Sequence, residues 1–332
     1  MLKECILSAV GNTPLVKLTR VFADVDLQLF AKLEGFNPGG SAKDRPAINM
    51  IRHGLAAGEI GPGTVVIESS SGNLGIGLAQ TCSYYGLRFI CVVDPKTNIQ
   101  NIRLLQAYGA EVDMVTEPDP ETGEFLPARI NRVRALQRSI KQSFWPNQYA
   151  NLYNPEAHYR TMAEILQALN GEAHYLFCAT STCGTLRGCA DYIRDHKLKT
   201  KIFAVDAEGS VIFGGKKGSR LIPGHGASIR PQIYQPDLAH RYVLVSDYDC
   251  VIGCRRLVRQ EAILAGGSSG AILMAIEKIK HELPRNAVCI AIFPDRGERY
   301  LDTIYSDDWV RKHFGEVAVV CQNTHEPMPA GA

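Results

Sequence analysis

Short β-rich runs alternating with helical stripes predict an α/β protein whose strands are mostly parallel. Two further observations support that class. The runs fall into two series, one early in the chain and a second beginning near Tyr175. The 332 residues suffice for two modest domains, each with its own core.

The elements follow in order from periodicity and turn chemistry. Residues 29–33 form a short apolar strand, and Ile48, Met50, Ile51 and Leu55 give a helical stripe. Residues 64–68 form a strand, followed by a Ser/Gly turn and a helix through Ile76, Leu78, Ala79 and Cys82. A strand at 89–93 ends at Asp94-Pro95, a helix over about 98–108 stops at Gly109, and 111–115 is a further strand. The acidic stretch 117–124 is a loop, and 126–142 is helical. In the second series, strands at 175–179 and 201–205 flank a helix over about 185–195. Residues 210–231 are Gly-rich and predict an irregular, mobile segment. A strand at 242–245, a helix after Asp249, a helix over 272–279 and a strand at 287–293 complete the series. Residues 322–332 read as a frayed tail.

Composition narrows the function classes. Hydrophobic residues make up 45% and charged residues 21%, as in a globular protein. A formal net charge of +2 argues against a dedicated nucleic-acid or membrane-surface binder. No apolar run approaches a bilayer span and Met1-Leu2-Lys3-Glu4 opens no secretory segment, so a cytoplasmic location is expected. The ten cysteines show neither a CxxC pair nor a Cys/His metal spacing, which predicts buried free thiols without disulfides or a metal site.

Four segments carry chemistry. Asn37-Pro38-Gly39-Gly40-Ser41-Ala42-Lys43-Asp44-Arg45 sets a lysine at a helix start, where unpaired N–H groups and the positive dipole end disfavour its ammonium form. Such an amine is a candidate for a Schiff base with an aldehyde cofactor, against the plain alternative of a surface lysine. Ser69-Ser70-Ser71-Gly72-Asn73-Leu74-Gly75 joins a strand to a helix and offers small donors for a carboxylate or phosphate. Ser181-Thr182-Cys183-Gly184-Thr185 repeats that arrangement without a Walker lysine. Gly266-Gly267-Ser268-Ser269-Gly270-Ala271 opens another helix. Each is also readable as a capped helix. No GxGxxG with an acidic partner stands where a nicotinamide-dependent dehydrogenase needs one.

Taken together with Gly11-Asn12-Thr13-Pro14-Leu15 and Lys32-Leu33-Glu34, these segments resemble the fold-type II pyridoxal-phosphate enzymes, the cysteine synthase and cystathionine β-synthase family, in order and spacing over roughly 5–310. The resemblance implies two open, mostly parallel-sheet domains of tryptophan synthase β-like architecture with pyridoxal 5′-phosphate in the cleft. The smaller, mobile domain is then 39–149, and 1–38 plus 150–332 form the larger, cofactor-binding one. It implies that Lys43 tethers the cofactor and shuttles the Cα proton, that Asn73 bonds its phenolic oxygen, and that Ser181, Thr182, Cys183, Gly184 and Thr185 hold its phosphate. Ser268 then faces the pyridine nitrogen, and a neutral serine there makes a weaker electron sink, which favours β-replacement over transamination. Ser70, Ser71, Gly72, Leu74 and Gln148 are implied to bind the substrate carboxylate.

The chain departs from ordinary cysteine synthases. Ser181 and Cys183 replace glycines usual in the phosphate cup, and Leu74 stands where threonine is common. On the helix after Leu126, Arg129 lies roughly 50° from the centre of the apolar stripe, closer than Arg132, Arg134 or Arg138. An inward arginine suits a phosphate leaving group or an acidic co-substrate, while one of several solvated basic residues is the equal alternative. These departures, with the segments 145–151, 205–214, 223–228 and 294–302, resemble one branch of the family. That branch is implied to join O-phospho-L-serine to L-glutamate in staphyloferrin B siderophore biosynthesis, toward L-2,3-diaminopropionate. Arg129, Tyr149, Ser181 and the 210–214 and 224–228 loops are then candidates for holding leaving phosphate or glutamate. A cysteine synthase using O-phosphoserine or O-acetylserine with sulfide, and a non-catalytic amino-acid binder on the same fold, are the alternatives. The family implies a homodimer. His225 has no catalytic pairing in the sequence and reads as structural.

Overall fold

The computed structural model describes residues 2–315. The chain runs β1 (Leu15–Leu18), β2 (Leu27–Leu33), α1 (Asp44–Ala56), β3 (Val65–Ser69), α2 (Asn73–Tyr85), β4 (Arg88–Val93) and α3 (Ile99–Ala107). It continues through β5 (Glu111–Met114), α4 (Phe125–Ser139), β6 (Ser143–Phe144), α5 (Tyr153–Ala168), β7 (Tyr175–Ala179) and α6 (Gly184–Asp195). Then come β8 (Lys201–Ala207), β9 (Arg241–Val245), α7 (Asp247–Glu261), α8 (Gly267–Ile279), β10 (Ala287–Phe293) and α9 (Asp307–Phe314).

Two sheets result. One has the order β5-β4-β3-β6, all parallel; the other has the order β1-β2-β10-β7-β8-β9, parallel except for β1 on β2. Their central strands β3 and β10 are buried along their whole length, as expected where helices cover both faces of a parallel sheet. α7 and α8 cover one face of the larger sheet and pack closely on each other, and α5 and α6 cover the other. The α7–α8 crossing is backbone to backbone: a Cβ on Gly253 would collide with Gly270, and one on Gly270 with Cys250 and Cys254. α1 packs on both α2 and α5, which places its N-terminus at the junction of the two sheets. The chain entering α1 is stitched to the end of β10 by Ala42 N–H donating to Pro294 O at 2.7 Å and by the Ser41–Asp295 bridge.

Several elements differ from the sequence expectation. α4 ends at Ser139 rather than 142, because Ile140 turns extended and lets Ser143 and Phe144 pair with β3. Helix α5 was not expected. Its buried face mixes Ala157, Met162, Ile165 and Leu166 with Asn154, His158 and Thr161, which breaks the apolar stripe. Strand β1 and helix α9 were also not expected; both are short. Residues 210–231 contain no helix or strand, yet Val211, Gly218 and Gly226 are tied by backbone hydrogen bonds to Ala227, Gly209 and Thr180. The tail over 322–332 lies outside the described residues.

Candidate active site

The loops after the carboxyl ends of β2, β3, β7 and β10 converge on one cleft of about 1140 Å³. This is where open parallel sheets place their ligand sites. Lys43, Ser70, Ser71, Gly72, Asn73, Leu74, Arg129, Gln148, Tyr149, residues 181–185 and Ser268 all line it.

Lys43 caps α1. Burial holds its amine below the usual lysine range, and Asp295, Glu34 and Cys183 oppose this more weakly. Its position is fixed from behind by an ionic cluster two residues along the chain. Arg45 donates to both oxygens of Glu34 (2.6 and 2.8 Å) and both of Glu164 (2.7 and 2.7 Å). Lys32 donates to Glu164 and to Thr13 O, both at 2.7 Å, and Thr13 Oγ1 donates to Glu34 at 2.6 Å. Asn37 Nδ2 donates to Glu34, and Asn37 Oδ1 accepts from Gly11 N–H at 2.8 Å. The Gly11–Thr13, Lys32–Glu34 and Asn37 motifs are thus one scaffold beneath the lysine. Burial pushes the Glu164 carboxyl up, but the Arg45 and Lys32 partners outweigh it and hold it at about 2. Asp44 accepts from Gly39 N–H at 2.5 Å, and burial pushes its carboxyl up to about 7.

Asn73 opens α2 and is gripped from the other sheet. Its Nδ2 donates to Asp295 Oδ2 at 2.7 Å and its Oδ1 accepts from Arg299, which also donates to Gly39 O. Tyr300 donates to the same Asp295 oxygen at 2.6 Å. Burial raises the Asp295 carboxyl against the pull of Tyr300, Asn73, Arg299 and Lys43. Within the β3–α2 loop the Ser70 hydroxyl is spent locally, accepting from Gly75 N–H at 2.9 Å. Ser71 O accepts from Asn101 at 3.1 Å. The Leu74 side chain is buried in the core of the smaller sheet, so only its backbone can face a ligand. Gln148 donates to Ser69 O at 3.3 Å, and its backbone N–H donates to Glu68. Buried Glu68 is pushed up to about 7 by burial, against its Trp145, Ser69 and Gln148 hydrogen bonds.

The 181–185 turn enters α6 through Cys183 in the left-handed region (φ 65°). The first amides of α6 have no preceding carbonyl within the helix to bond. A Cβ on Gly184 would collide with the Asn154 side chain, so the turn lies flat on α5. Thr182 Oγ1 is 3.4 Å from Asn154 Nδ2, and Thr185 Oγ1 is 3.3 Å from His158 Nε2. Burial, with Lys43 and Arg45, holds His158 well below the usual histidine range, so it is neutral behind the cup. Burial pushes the Cys183 thiol up to about 12, which leaves it no nucleophile. Ser268 is half-buried near the start of α8 and lines the cleft.

Arg129 is 8% exposed, in contrast to exposed Arg132, Arg134 and Arg138. Its Nε lies 3.1 Å from Asp94 Oδ2. Tyr149 is raised by burial, with Arg129 and Arg220 both pulling the other way. Sequence reasoning did not find Asn154, His158, Asp295, Arg299, Tyr300 or Arg220. The sequence marks 294–302 as a motif but gives its residues no role. Asn154 and His158 sit on the unexpected helix α5, and their only signal was that they interrupt an apolar stripe.

The residues fit pyridoxal phosphate. A buried amine kept from charging suits an aldehyde, and a helix N-terminus beside two threonines suits a phosphate. Residues 6–295 match the model of the pyridoxal-phosphate dependent enzyme family. The chain belongs to that family, and its two sheets have the fold-type II arrangement. It is 46% identical to the N-(2-amino-2-carboxyethyl)-L-glutamate synthase of Cupriavidus metallidurans, covering 96% of this chain and 94% of that one. It is 45% identical to the protein of the same name from Ralstonia nicotianae, covering 98% of both. The structure matches that of the O-acetylserine dependent cystathionine beta-synthase from Helicobacter pylori with a TM-score of 0.85 and 32% identity, covering 92% of this chain and 100% of that one. Among the described residues, no helix is long and apolar enough to cross a membrane. The nine described cysteines are free, eight of them buried.

Proposed function

We propose that the chain is a pyridoxal-phosphate dependent transferase joining O-phospho-L-serine and L-glutamate into N-(2-amino-2-carboxyethyl)-L-glutamate and phosphate. The observation that carries this reading is 45–46% identity, over nearly the whole chain, to two synthases of that name. The cofactor, when bound, supplies the electron sink that acidifies Cα and lets a β-substituent depart.

The chain's own residues do the rest. Lys43 tethers the cofactor, takes the Cα proton at Nζ and later returns it. Residues 181–185 hold the cofactor phosphate, Asn73 its phenolic oxygen, and Ser268 its ring nitrogen. The loop of Ser70, Ser71, Gly72 and Leu74, through its backbone and the Ser71 hydroxyl, holds the donor's carboxylate together with Gln148. The Cβ–O bond to phosphate breaks, and phosphate leaves toward Arg129 and Ser181. The glutamate amine forms the Cβ–N bond and gives up one proton, with Tyr149 and the 210–214 and 224–228 loops beside it. Residues 39–149 act as the smaller, mobile domain, closing on 1–38 plus 150–332 and keeping water off the site. The enzyme works as a cytoplasmic homodimer, and its product serves L-2,3-diaminopropionate formation for a siderophore.

A matrix of O-phosphoserine and O-acetylserine against glutamate and sulfide tests the reading. Phosphate release with the N–C adduct is expected; efficient cysteine formation with glutamate ignored would replace it by the sulfide alternative. Borohydride reduction followed by mass spectrometry should place the pyridoxyl label on Lys43.

A further inference from the structure

Two arginines line the cleft, and they differ in one respect. Both have a buried nitrogen without a hydrogen-bond partner among the described residues, but Arg129, on α4, has the Asp94 carboxylate 3.1 Å from its Nε. Arg220, on the Gly-rich segment after β8, has no acidic partner within ion-pair distance among the described residues. Its Nη1 donates to His225 O at 3.0 Å, while its buried Nε has no hydrogen-bond partner among them. The seat is built for it. Gly226 adopts φ 69°, and a Cβ there would stand 2.9 Å from Arg220 Nη1 and 3.0 Å from the Ser210 side chain. Asp206, the nearby carboxylate, is instead bonded by Thr180 Oγ1 at 3.0 Å and Ala207 N–H at 3.0 Å. The charges of both arginines act on the Tyr149 hydroxyl.

A half-buried guanidinium with an unused donor and no carboxylate within ion-pair distance, Asp206 acting on it only from further off, invites an anion. The donor's own phosphate has Arg129 and the cup edge. An attacking amino acid keeps its α-carboxylate next to the reacting amine, so a second carboxylate, further along its side chain, must be held away from Lys43. We propose that Arg220 binds the side-chain carboxylate of the acceptor and selects a dicarboxylic amino acid as the nucleophile. This rests on the reading above and adds a residue that decides the acceptor.

The test uses holoenzyme with Arg220→Gln and, as the charge-keeping control, Arg220→Lys. Losing a charge-assisted fork raises KM for glutamate roughly 30-fold more than KM for O-phosphoserine. Preference for glutamate over glutamine should fall at least about tenfold in Arg220→Gln and less in Arg220→Lys. Equal losses with glutamate and glutamine, or no change in either, would overturn the assignment. Glutarate, which carries two carboxylates and no amine, separates the two claims by calorimetry. Arg220-dependent glutarate binding in an enzyme that fails to make the adduct would sink the proposed reaction and keep the recognition site. Absence of glutarate binding to the unmodified enzyme, or binding unaltered by Arg220→Gln, would sink the recognition site itself. Circular dichroism of both variants excludes misfolding as the cause.

Discussion

Replacing Arg45 by Met would strip the scaffold beneath Lys43 of its central cation. Arg45 makes four bonds of 2.6–2.8 Å to two carboxylates, and Glu34 is completely buried. Removing one partner of a buried ion pair costs roughly 3–5 kcal/mol, because the remaining charge keeps its desolvation penalty. Glu34 would retain only its bonds from Thr13 and Asn37. At about 1–2 °C per kcal/mol for a 332-residue chain, melting at pH 7 should fall by roughly 3–10 °C. The deficit should depend on pH, with the sign set by Glu164. Its carboxyl is held at about 2, below the unfolded value, so its contribution is full above pH about 4.5 and fades as pH falls toward 2. The variant lacks most of that contribution. Its curve and that of the unmodified protein should therefore lie furthest apart near neutrality and converge toward pH 3. Adding Glu34→Gln should recover part of the loss by removing the stranded charge. Differential scanning fluorimetry over pH 3–8 measures all three. A variant melting within 2 °C of the unmodified protein at pH 7, or a gap that widens on acidification, would refute the reasoning.

Other consequences are more local. Asp295→Ala frees Asn73 and Tyr300 from their shared acceptor, and pyridoxal phosphate affinity should drop by about one to two orders of magnitude, as for lost second partners of a ligating group, read by fluorescence titration. Gly253→Ala forces a methyl into the Gly270 backbone across the α7–α8 crossing, and should cost at least about 3 kcal/mol in urea unfolding, beyond ordinary overpacking. Among the described cysteines, Cys5 should react first with iodoacetamide, because it is partly accessible and its thiol is lowered by Tyr84 and Ser8 hydrogen bonds. Cys183, buried and pushed up to about 12, should stay unlabelled until the protein unfolds, a pattern that peptide mass spectrometry resolves.

The extent of what was legible in the chain follows from which signals are local. Strands β7 and β10 appear at the residues their apolar runs marked, since a parallel strand covered on both faces needs little but consecutive apolar side chains. The turn glycines and hydroxyls at 69–75, 181–185 and 266–271 likewise announce helix starts through backbone demands of their own. Helix α5 was invisible because Asn154, His158 and Thr161 occupy its buried face, and their partners, Gln148 O and the α6 turn for Asn154 and His158, and His158 for Thr161, meet them only in the fold.

Lys43 could be singled out from its neighbours in the chain, but the reason its amine resists charging could not. The helix dipole is the local argument, whereas burial in the cleft is the leading cause in the folded molecule. The Thr13, Lys32, Glu34, Asn37 and Arg45 motifs likewise read as separate signatures until folding brought in Glu164 and made them one ionic cluster. Arg220 gave no sign at all in a Gly-rich stretch. Whether a cation is neutralised or left open depends on which carboxylates come within a few ångströms of it, and that is set by the meeting of distant strands and loops rather than by sequence spacing.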